Sequence, residues 1–330
     1  MRFIRFAFFL VHLIVAACLL AVTLNAFIPP KWFPFLNLLS LGFPILIILN
    51  AIFTLVWIVS WRKRAFLFLF VFLLVFNPLR RWVNYSSESK ETANLKLVSY
   101  NVKGGVMEKK QRSEVMDYLE NQNADIIFIQ ERPWEHFKLE GYDYSDKTLM
   151  ITQVLSKHQI LQTKELFEDA DVQHATQADI DINGRTIRFI NVYLEPFSFK
   201  KEMFNMNGDR EQDKKDIFSI VKRLLQTFKK HQAQVDTIHK AISDSPYPVM
   251  VVGDFNAVPN SYEYYTLSKG LSDAFVEVGN GSATSFHDYK FPLRLDYVLA
   301  SPEIKAVRYH VDRTMKSSDH FPVISEFKMP

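Results

Sequence analysis

Residues 248–259 read PVMVVGDFNAVP. Val249, Met250, Val251 and Val252 form an apolar run too short for a helix and rich in β-branched side chains, the mark of a buried strand. Gly253 interrupts the run, and Asp254 and Asn256 follow at once, so the strand gives way directly to polar, turn-forming residues. The same design recurs from Leu95 onward. LKLVSY (95–100) alternates like a half-buried strand and runs into Asn101 and a Lys-Gly-Gly turn, while DIIFIQ (125–130) terminates at Glu131. TIRFINVYL (186–194) carries Asn191 and Tyr193 near its end, RLDYVLA (294–300) contains Asp296, and FPVISEF (321–327) follows Asp319 and His320. Apolar strands that each finish in a polar residue imply a packed sheet with its chemistry gathered along one edge.

Helices are expected between these strands. Arg112 to Asn121 puts Val115, Met116 and Leu119 on one face, and Asp209 to Ser243 is a long stretch with Ile217, Ile220, Val221, Leu224, Leu225 and Phe228 at helical spacing. The opposite face of the second carries Lys214, Lys215, Lys222, Arg223, Lys229 and Lys230. A solvated face is the default reading of such a run.

The first 83 residues are of another kind. Phe3 to Phe27 has no charged side chain and is long enough to cross a hydrocarbon core of about 30 Å as a helix. Phe33 to Trp61 is a second such stretch, in which Pro34 and Pro44 suggest that the crossing helix occupies mainly the later part. Ala65 to Leu79 is a third, completed by Trp82 and Val83 if it spans. We therefore expect an anchor over residues 1–83 with about three transmembrane helices, near 3–27, 36–60 and 65–83. A polar linker over 84–94 (NYSSESKETAN) and a catalytic domain over 95–330 follow. Arg2 and Arg5 precede the first span and Arg62, Lys63 and Arg64 separate the second from the third, so both clusters belong on the cytoplasmic side. Three crossings then place the catalytic domain outside the cytoplasm, on the periplasmic side in a bacterium; Arg80 and Arg81 weigh against this, and two crossings would reverse it.

Charge follows the same division. The 330-residue chain has a formal net charge of +3, but its first acidic residue is Glu88, after eight Lys and Arg. The remainder has 31 Lys and Arg against 36 Asp and Glu, a net of −5, so the soluble part lacks the global basic field of a non-specific nucleic-acid binder. The lone Cys18 lies in the first apolar run, which excludes disulfides, Cys-based zinc sites and a cysteine nucleophile downstream.

Each strand-end motif is weak alone; their joint order is specific. Asn101 in SYNVKGG, Glu131 in FIQERP, Asn191 and Tyr193 in NVYLEP, Asp254 and Asn256 in VVGDFNAVP, Asp296 in RLDYVL, and Asp319-His320 in SSDHFPV together resemble the endonuclease/exonuclease/phosphatase superfamily, the DNase-I-like metallohydrolases, from Leu95 to Pro330. The resemblance implies an α/β fold, a four-layer α/β sandwich, and an activity: divalent-metal-dependent hydrolysis of phosphate esters by attack of water on phosphorus, as phosphodiesterase, phosphatase or nuclease. It also implies a hard cation with oxygen ligands, Mg²⁺ or alternatively Mn²⁺, with Glu131, Asn101 and Asp319 as ligand candidates. In this reading Asp254 orients or deprotonates the water, Asn256 bonds a phosphate oxygen, and His320 contacts the phosphate or assists proton transfer. Asn191 belongs to the same catalytic set. Asp319 or Asp296 fixes the His320 tautomer; which of them does so, and which group is the general base, stay open.

One departure stands out. Many relatives carry His where this chain has Tyr193, and a phenol donates a hydrogen bond well but is a poor base at neutral pH. Substrate is left open between nucleic acid, phospholipid or sphingolipid headgroups and inositol phosphates, with the lipid bilayer as a second partner and no obligate protein partner expected. Phe197, Phe199, Met203, Phe204 and Met206 crowd the loop Glu195 to Gly208 and suit either a lipid contact or packing under the next helix. The competing reading is a catalytically silent, membrane-bound binding module of the same fold.

Overall fold

A computed structural model of the chain describes residues 2–104, 107–146, 151–167, 174–197, 210–288 and 292–329. The chain divides into two compact units: Met1–Trp82 with Phe197–Gln232 and Val258–Tyr265, and Val83–Pro196 with Ala233–Ala257 and Thr266–Pro330.

The first unit contains helices α1 (Arg2–Val22, extended by a 3₁₀ turn over Thr23–Ala26), α2 (Phe35–Val59), α3 (Arg64–Leu74) and α4 (Phe76–Arg80). Ala16, Leu19, Phe43, Trp57, Phe68 and Val71 form their shared core. Ile14, Ile45, Ile48, Ile52, Leu55, Phe66 and Phe70 remain exposed. Two helical stretches, Arg2–Ala26 and Phe35–Val59, are long and apolar enough to cross a membrane at 25 residues each, about 37 Å of helix. The expected third span differs. Residues 64–80 form an 11-residue helix and a 5-residue helix broken at Val75, because Pro78 cannot donate to the Leu74 carbonyl and its ring crowds that turn. The helix after Phe33 begins at Phe35, close to the expected 36, and carries Pro44 within it.

The strands, in chain order, are β1 (Val83–Tyr85), β2 (Leu95–Asn101), β3 (Ile126–Gln130), β4 (Tyr144–Ser145), β5 (Gln153–Ser156), β6 (Ile160–Glu165), β7 (His174–Ile182), β8 (Arg185–Tyr193), β9 (Val249–Asp254), β10 (Ser272–Asp273), β11 (Asn280–Ser282), β12 (Asp296–Ala300), β13 (Lys305–Val311) and β14 (Val323–Lys328). The remaining helices are α5 (Lys109–Gln122), α6 (Arg210–Ser243), α7 (Tyr262–Leu267) and α8 (Ala274–Val278), of which α6 and α7 contribute residues to both units.

Two six-stranded sheets, β10-β12-β9-β8-β7-β6 and β13-β14-β2-β3-β5-β4, build the second unit. Each is antiparallel except for one central parallel pair, β8 with β9 and β2 with β3. A parallel pair needs a crossover, and here α6 and α5 supply it. Leu97, Ile126, Phe128 and Val154 of one sheet and Ile180, Phe189, Met250, Val252 and Val298 of the other share one core, so the sheets form a sandwich. On the far face of the β2–β3 pair, Val115 and Leu119 of α5 pack against Val98, Tyr100, Ile127 and Ile129.

Residues 84–94, expected as a linker, are stitched into this unit. β1 pairs with β11, the buried Asn84 amide donates to the Phe275 and Gly279 carbonyls at 2.8 and 3.1 Å, and the Asn94 backbone N–H donates to Phe327 O. Strand β7 escaped the sequence reading because Thr176, Gln177 and Asp179 are buried in it. Arg188 on neighbouring β8 compensates the Asp179 charge with two hydrogen bonds of 2.8 and 2.9 Å.

Candidate active site

The polar residues that close the strands converge because of register. Tyr193 on β8 lies opposite Asp254 on β9, and Asp254 lies opposite Asp296 on β12, so the three residues stand in one row across neighbouring strands of the sheet. In the other sheet, Asn101 ends β2 opposite Gln130, and Glu131 follows. The Asn101 amide links the two sets, donating to Glu131 Oε1 and to Asp254 Oδ2, both at 3.0 Å. Tyr193 donates its hydroxyl to the same Glu131 oxygen at 2.9 Å.

Backbone geometry at these ends is unusual. Glu131 and Asn256 have φ of +48° and +43°, conformations uncommon for residues with a side chain and concentrated at functional positions. Gly253 has φ of +131°, and a Cβ there would sit 2.2 Å from Val192 O, so only glycine lets β9 approach β8 closely enough to align Asp254 with Tyr193.

His320 lies among carboxylates. Its Nδ1 is 2.8 Å from Asp296 Oδ2 and its Nε2 is 3.7 Å from Asp254 Oδ2, all three residues being buried. Burial opposes the imidazolium, but the charges of Asp296 and Asp254 outweigh it and raise the His320 pKa to about 10. Asp254 is raised above the ordinary carboxylate range, first by burial and then by the Asp296 charge, with the His320 imidazolium pulling the other way. The Asn256 N–H steadies Asp254 by donating to Oδ1 at 2.7 Å. Burial, followed by the Glu131 and Asp254 charges, raises the Tyr193 pKa, so this phenol stays protonated and acts as a donor.

The structure thus joins Asn101, Glu131, Tyr193, Asp254, Asp296 and His320 through side-chain contacts, whereas the side chains of Asn191, Asn256 and Asp319 bond elsewhere, Asn256 reaching Asp254 through its backbone N–H alone. Asn191 is buried, and its amide group donates to Ile129 O and Gln153 O and accepts from Gln130 Nε2 at 2.7 Å, cross-linking the sheets. Asn256 donates its side-chain amide to Leu194 O at 2.9 Å. Asp319 pairs with Lys103 Nζ at 2.6 Å, and Asp296, not Asp319, bonds the His320 ring. Neighbours that the sequence reading passed over support the site: the Ser285 hydroxyl accepts the Asp296 N–H, and the Ser318 hydroxyl donates to Asn101 O at 2.7 Å. Their only signal was a place beside or between the motifs.

A divalent cation fits part of this set. Asp254, Asp296 and His320 cluster closely enough to bind one, with His320 Nδ1 already bonded to Asp296 Oδ2 at 2.8 Å. Glu131 could also hold one: it is half-buried, both its hydrogen bonds fall on Oε1, and among the described residues Oε2 has no partner.

The crowded loop after Tyr193 is described only to Phe197, whose ring packs edge-on against Phe228 at 5.7 Å; Phe199, Met203, Phe204 and Met206 lie outside the described residues.

Residues 5–82 match a domain of unknown function (DUF8431). No curated protein sequence matches the chain. Among solved structures, TDP2 from D. rerio in complex with a single-strand DNA product superimposes with a TM-score of 0.52 at 15% identity, over 71% of this chain and 99% of that one. An endonuclease/exonuclease/phosphatase from Bacteroides vulgatus gives a TM-score of 0.50 at 16% identity, over 73% of this chain and 100% of that one. At such identities the likeness shows the fold. The sequence pattern of the Endonuclease/Exonuclease/phosphatase family matches residues 98–320, and the chain belongs to that family.

Proposed function

We propose that the chain is a divalent-metal-dependent phosphoester hydrolase held in a membrane by its N-terminal helices. The observation that carries this reading is the meeting of the Asp254–His320–Asp296 cluster with the Asn101–Glu131–Tyr193 cluster through a single amide, that of Asn101. A phosphate ester is already anionic and resists a nucleophile until its charge is offset. A cation held by Glu131, with Asn101 beside it, would supply part of that offset. The His320 imidazolium supplies another part through Nε2, while Asp296 fixes its orientation from Nδ1. Asp254 orients the attacking water and receives its proton, and Tyr193 holds the Glu131 carboxylate in place.

Membrane attachment rests on α1 and α2, their exposed apolar side chains and the basic residues at one end of the bundle. The Arg64 guanidinium lies over the Phe9 and Trp57 rings, at 4.4 and 5.5 Å from their centroids, so Arg2, Arg5 and Arg62–Arg64 share an end. Positive charge favours the cytoplasm for that end. Residues 64–80 lead back to Arg81 at the other end, where Arg81 bonds Asn260 and lies over the Tyr264 and Tyr265 rings. Arg81 is therefore occupied by folded contacts, which weakens its vote for the cytoplasm, and we place the catalytic domain outside. The C-terminal part of α6 is read as the fourth layer of the sandwich.

The test uses the full chain in detergent with an aryl phosphodiester, an aryl phosphomonoester, DNA, RNA, a phospholipid, a sphingolipid and inositol phosphates, each with Mg²⁺, Mn²⁺ or EDTA. Turnover that needs metal and is lost in Asp254→Ala supports the proposal and selects the substrate. A folded, metal-binding protein that turns over none of them would make it a silent binding module.

A further inference from the structure

The end of the helical bundle grips one short segment with unusual completeness. Asn260 is fully buried, and its hydrogen bonds reach three parts of the anchor: the turn after α1, helix α2 and the stretch Pro78–Arg81. Its side-chain nitrogen donates to Pro78 O at 3.1 Å and its side-chain oxygen accepts from Arg81 at 3.0 Å. Its backbone carbonyl accepts from Asn25 Nδ2 at 3.1 Å and from the Ser40 hydroxyl at 2.8 Å. Its φ of +68° is one that asparagine tolerates better than most residues. Three residues on, Glu263 is equally buried, accepting from Asn37 Nδ2 at 2.8 Å and meeting His231 Nδ1 at 2.9 Å, while Asn37 Oδ1 accepts the Tyr262 N–H. Asn25, Asn37 and Ser40 are buried polar residues in a largely apolar bundle, where an unsatisfied amide or hydroxyl is costly. A passive tether has no use for them.

The gripped segment continues directly from the active site. Asp254 and Asn256 precede Asn260 in one run, and the intervening Ala257 carbonyl accepts from the Tyr297 hydroxyl at 2.9 Å. We propose that this socket of Asn25, Ser40, Pro78 and Arg81 makes the anchor a working part of the enzyme: Asn260 is a positioning residue that fixes, through the chain, the Asp254–Asn256 turn on which catalysis depends. The inference rests on the hydrolase reading above. Slackening the socket loosens that turn, and misplacement of a catalytic group by about 1 Å costs up to about a hundredfold in rate.

The experiment uses the full chain with two variants. Asn260→Gly keeps the left-handed backbone while deleting both side-chain bonds; Ser40→Ala deletes one hydroxyl of the socket. Each is expected to lower kcat by about tenfold or more, with KM and metal requirement changed little. Together they should cost less than the product of their separate effects, because both loosen one socket. Hydrogen exchange at the Phe255, Asn256 and Ala257 amides should quicken in both. Wild-type kcat in the folded variants overturns the proposal, as does a loss of activity accounted for wholly by a smaller folded fraction. If the wild-type protein hydrolyses no phosphoester, the function reading fails instead. The exchange measurement still decides the socket: unchanged protection of the turn in Asn260→Gly sinks it.

Discussion

Replacing Asp296 by Asn is the sharpest single perturbation of the proposed chemistry. The substitution keeps size and removes one charge beside His320 Nδ1, 2.8 Å from the carboxylate oxygen, with both residues buried. Opposite charges about 4 Å apart interact by about 4 kcal/mol at an effective dielectric of about 20, which is about three pK units. Asp296 is the largest of the charges that hold the His320 pKa near 10 against burial, with Asp254 and Asp319 adding to it. In Asp296→Asn the ring should therefore titrate about three units lower and be largely neutral at pH 8. Loss of a positioned positive hydrogen-bond donor beside the phosphate costs about a hundredfold or more in kcat, so the deficit should be large at pH 8 and shrink toward pH 5.5, where the ring regains its charge. The assay is a pH profile of kcat at saturating metal, paired with NMR titration of the His320 ring. An equal deficit at every pH, with His320 titrating as in the wild type, would refute the assignment of His320 as a cation held by Asp296.

Other outcomes follow from the same geometry. Tyr193→Phe removes the 2.9 Å donor to Glu131 and should cut kcat by about tenfold with little change in melting temperature; an unchanged kcat would reduce Tyr193 to packing. Glu131→Gln should weaken Mg²⁺ binding by at least about tenfold in calorimetry while the protein stays folded, and unaltered affinity would move the cation elsewhere. Asn191→Ala leaves Gln130 and two buried carbonyls short of partners, so urea unfolding should show a loss of about 3 kcal/mol; a loss under about 0.5 kcal/mol would refute its cross-linking role. Because the His320 pKa is raised from 6.5 to about 10 on folding, the stability it contributes is fully present below pH 6.5 and is lost as pH rises through about 10. The decline in urea midpoint across that window should be shallower in His320→Gln, and an identical decline would contradict the raised value.

Much of the catalytic half was legible because strand alternation and strand ends are local signals. Gly253 and Asp254 close β9 where the apolar run stops, and Asn101, Glu131 and Tyr193 fall at the ends of their strands for the same reason. What escaped depends on pairing between distant segments. Asp296 rather than Asp319 holds His320 because antiparallel register sets Asp296 opposite Asp254, and no run of sequence displays a register. Asn191 alternates with Tyr193 and so shares its face of β8, yet one turns inward to the opposing sheet and the other to Glu131. The third apolar stretch looked like a span by composition, whereas the Pro78 break is a backbone effect that hydropathy does not weigh. The grouping of residues 258–265 with the anchor rests on Asn25, Ser40 and Asn37, whose polar atoms in an apolar stretch were visible but whose partners lie more than 200 positions away.

The register that sets Tyr193, Asp254 and Asp296 in one row across three strands also limits how this protein can change over time. A one-residue slip in β8, β9 or β12 turns every side chain of that strand to the opposite face, so an insertion or deletion there abolishes the alignment at a single stroke. Gly253 closes the remaining route, since any side chain at that position drives the backbones apart. Lineages of this chain are therefore free to diversify what they hydrolyse only through the connecting loops, while the ladder beneath is inherited whole or lost whole. Directed evolution for a new substrate should randomise the loops and leave all three strands untouched.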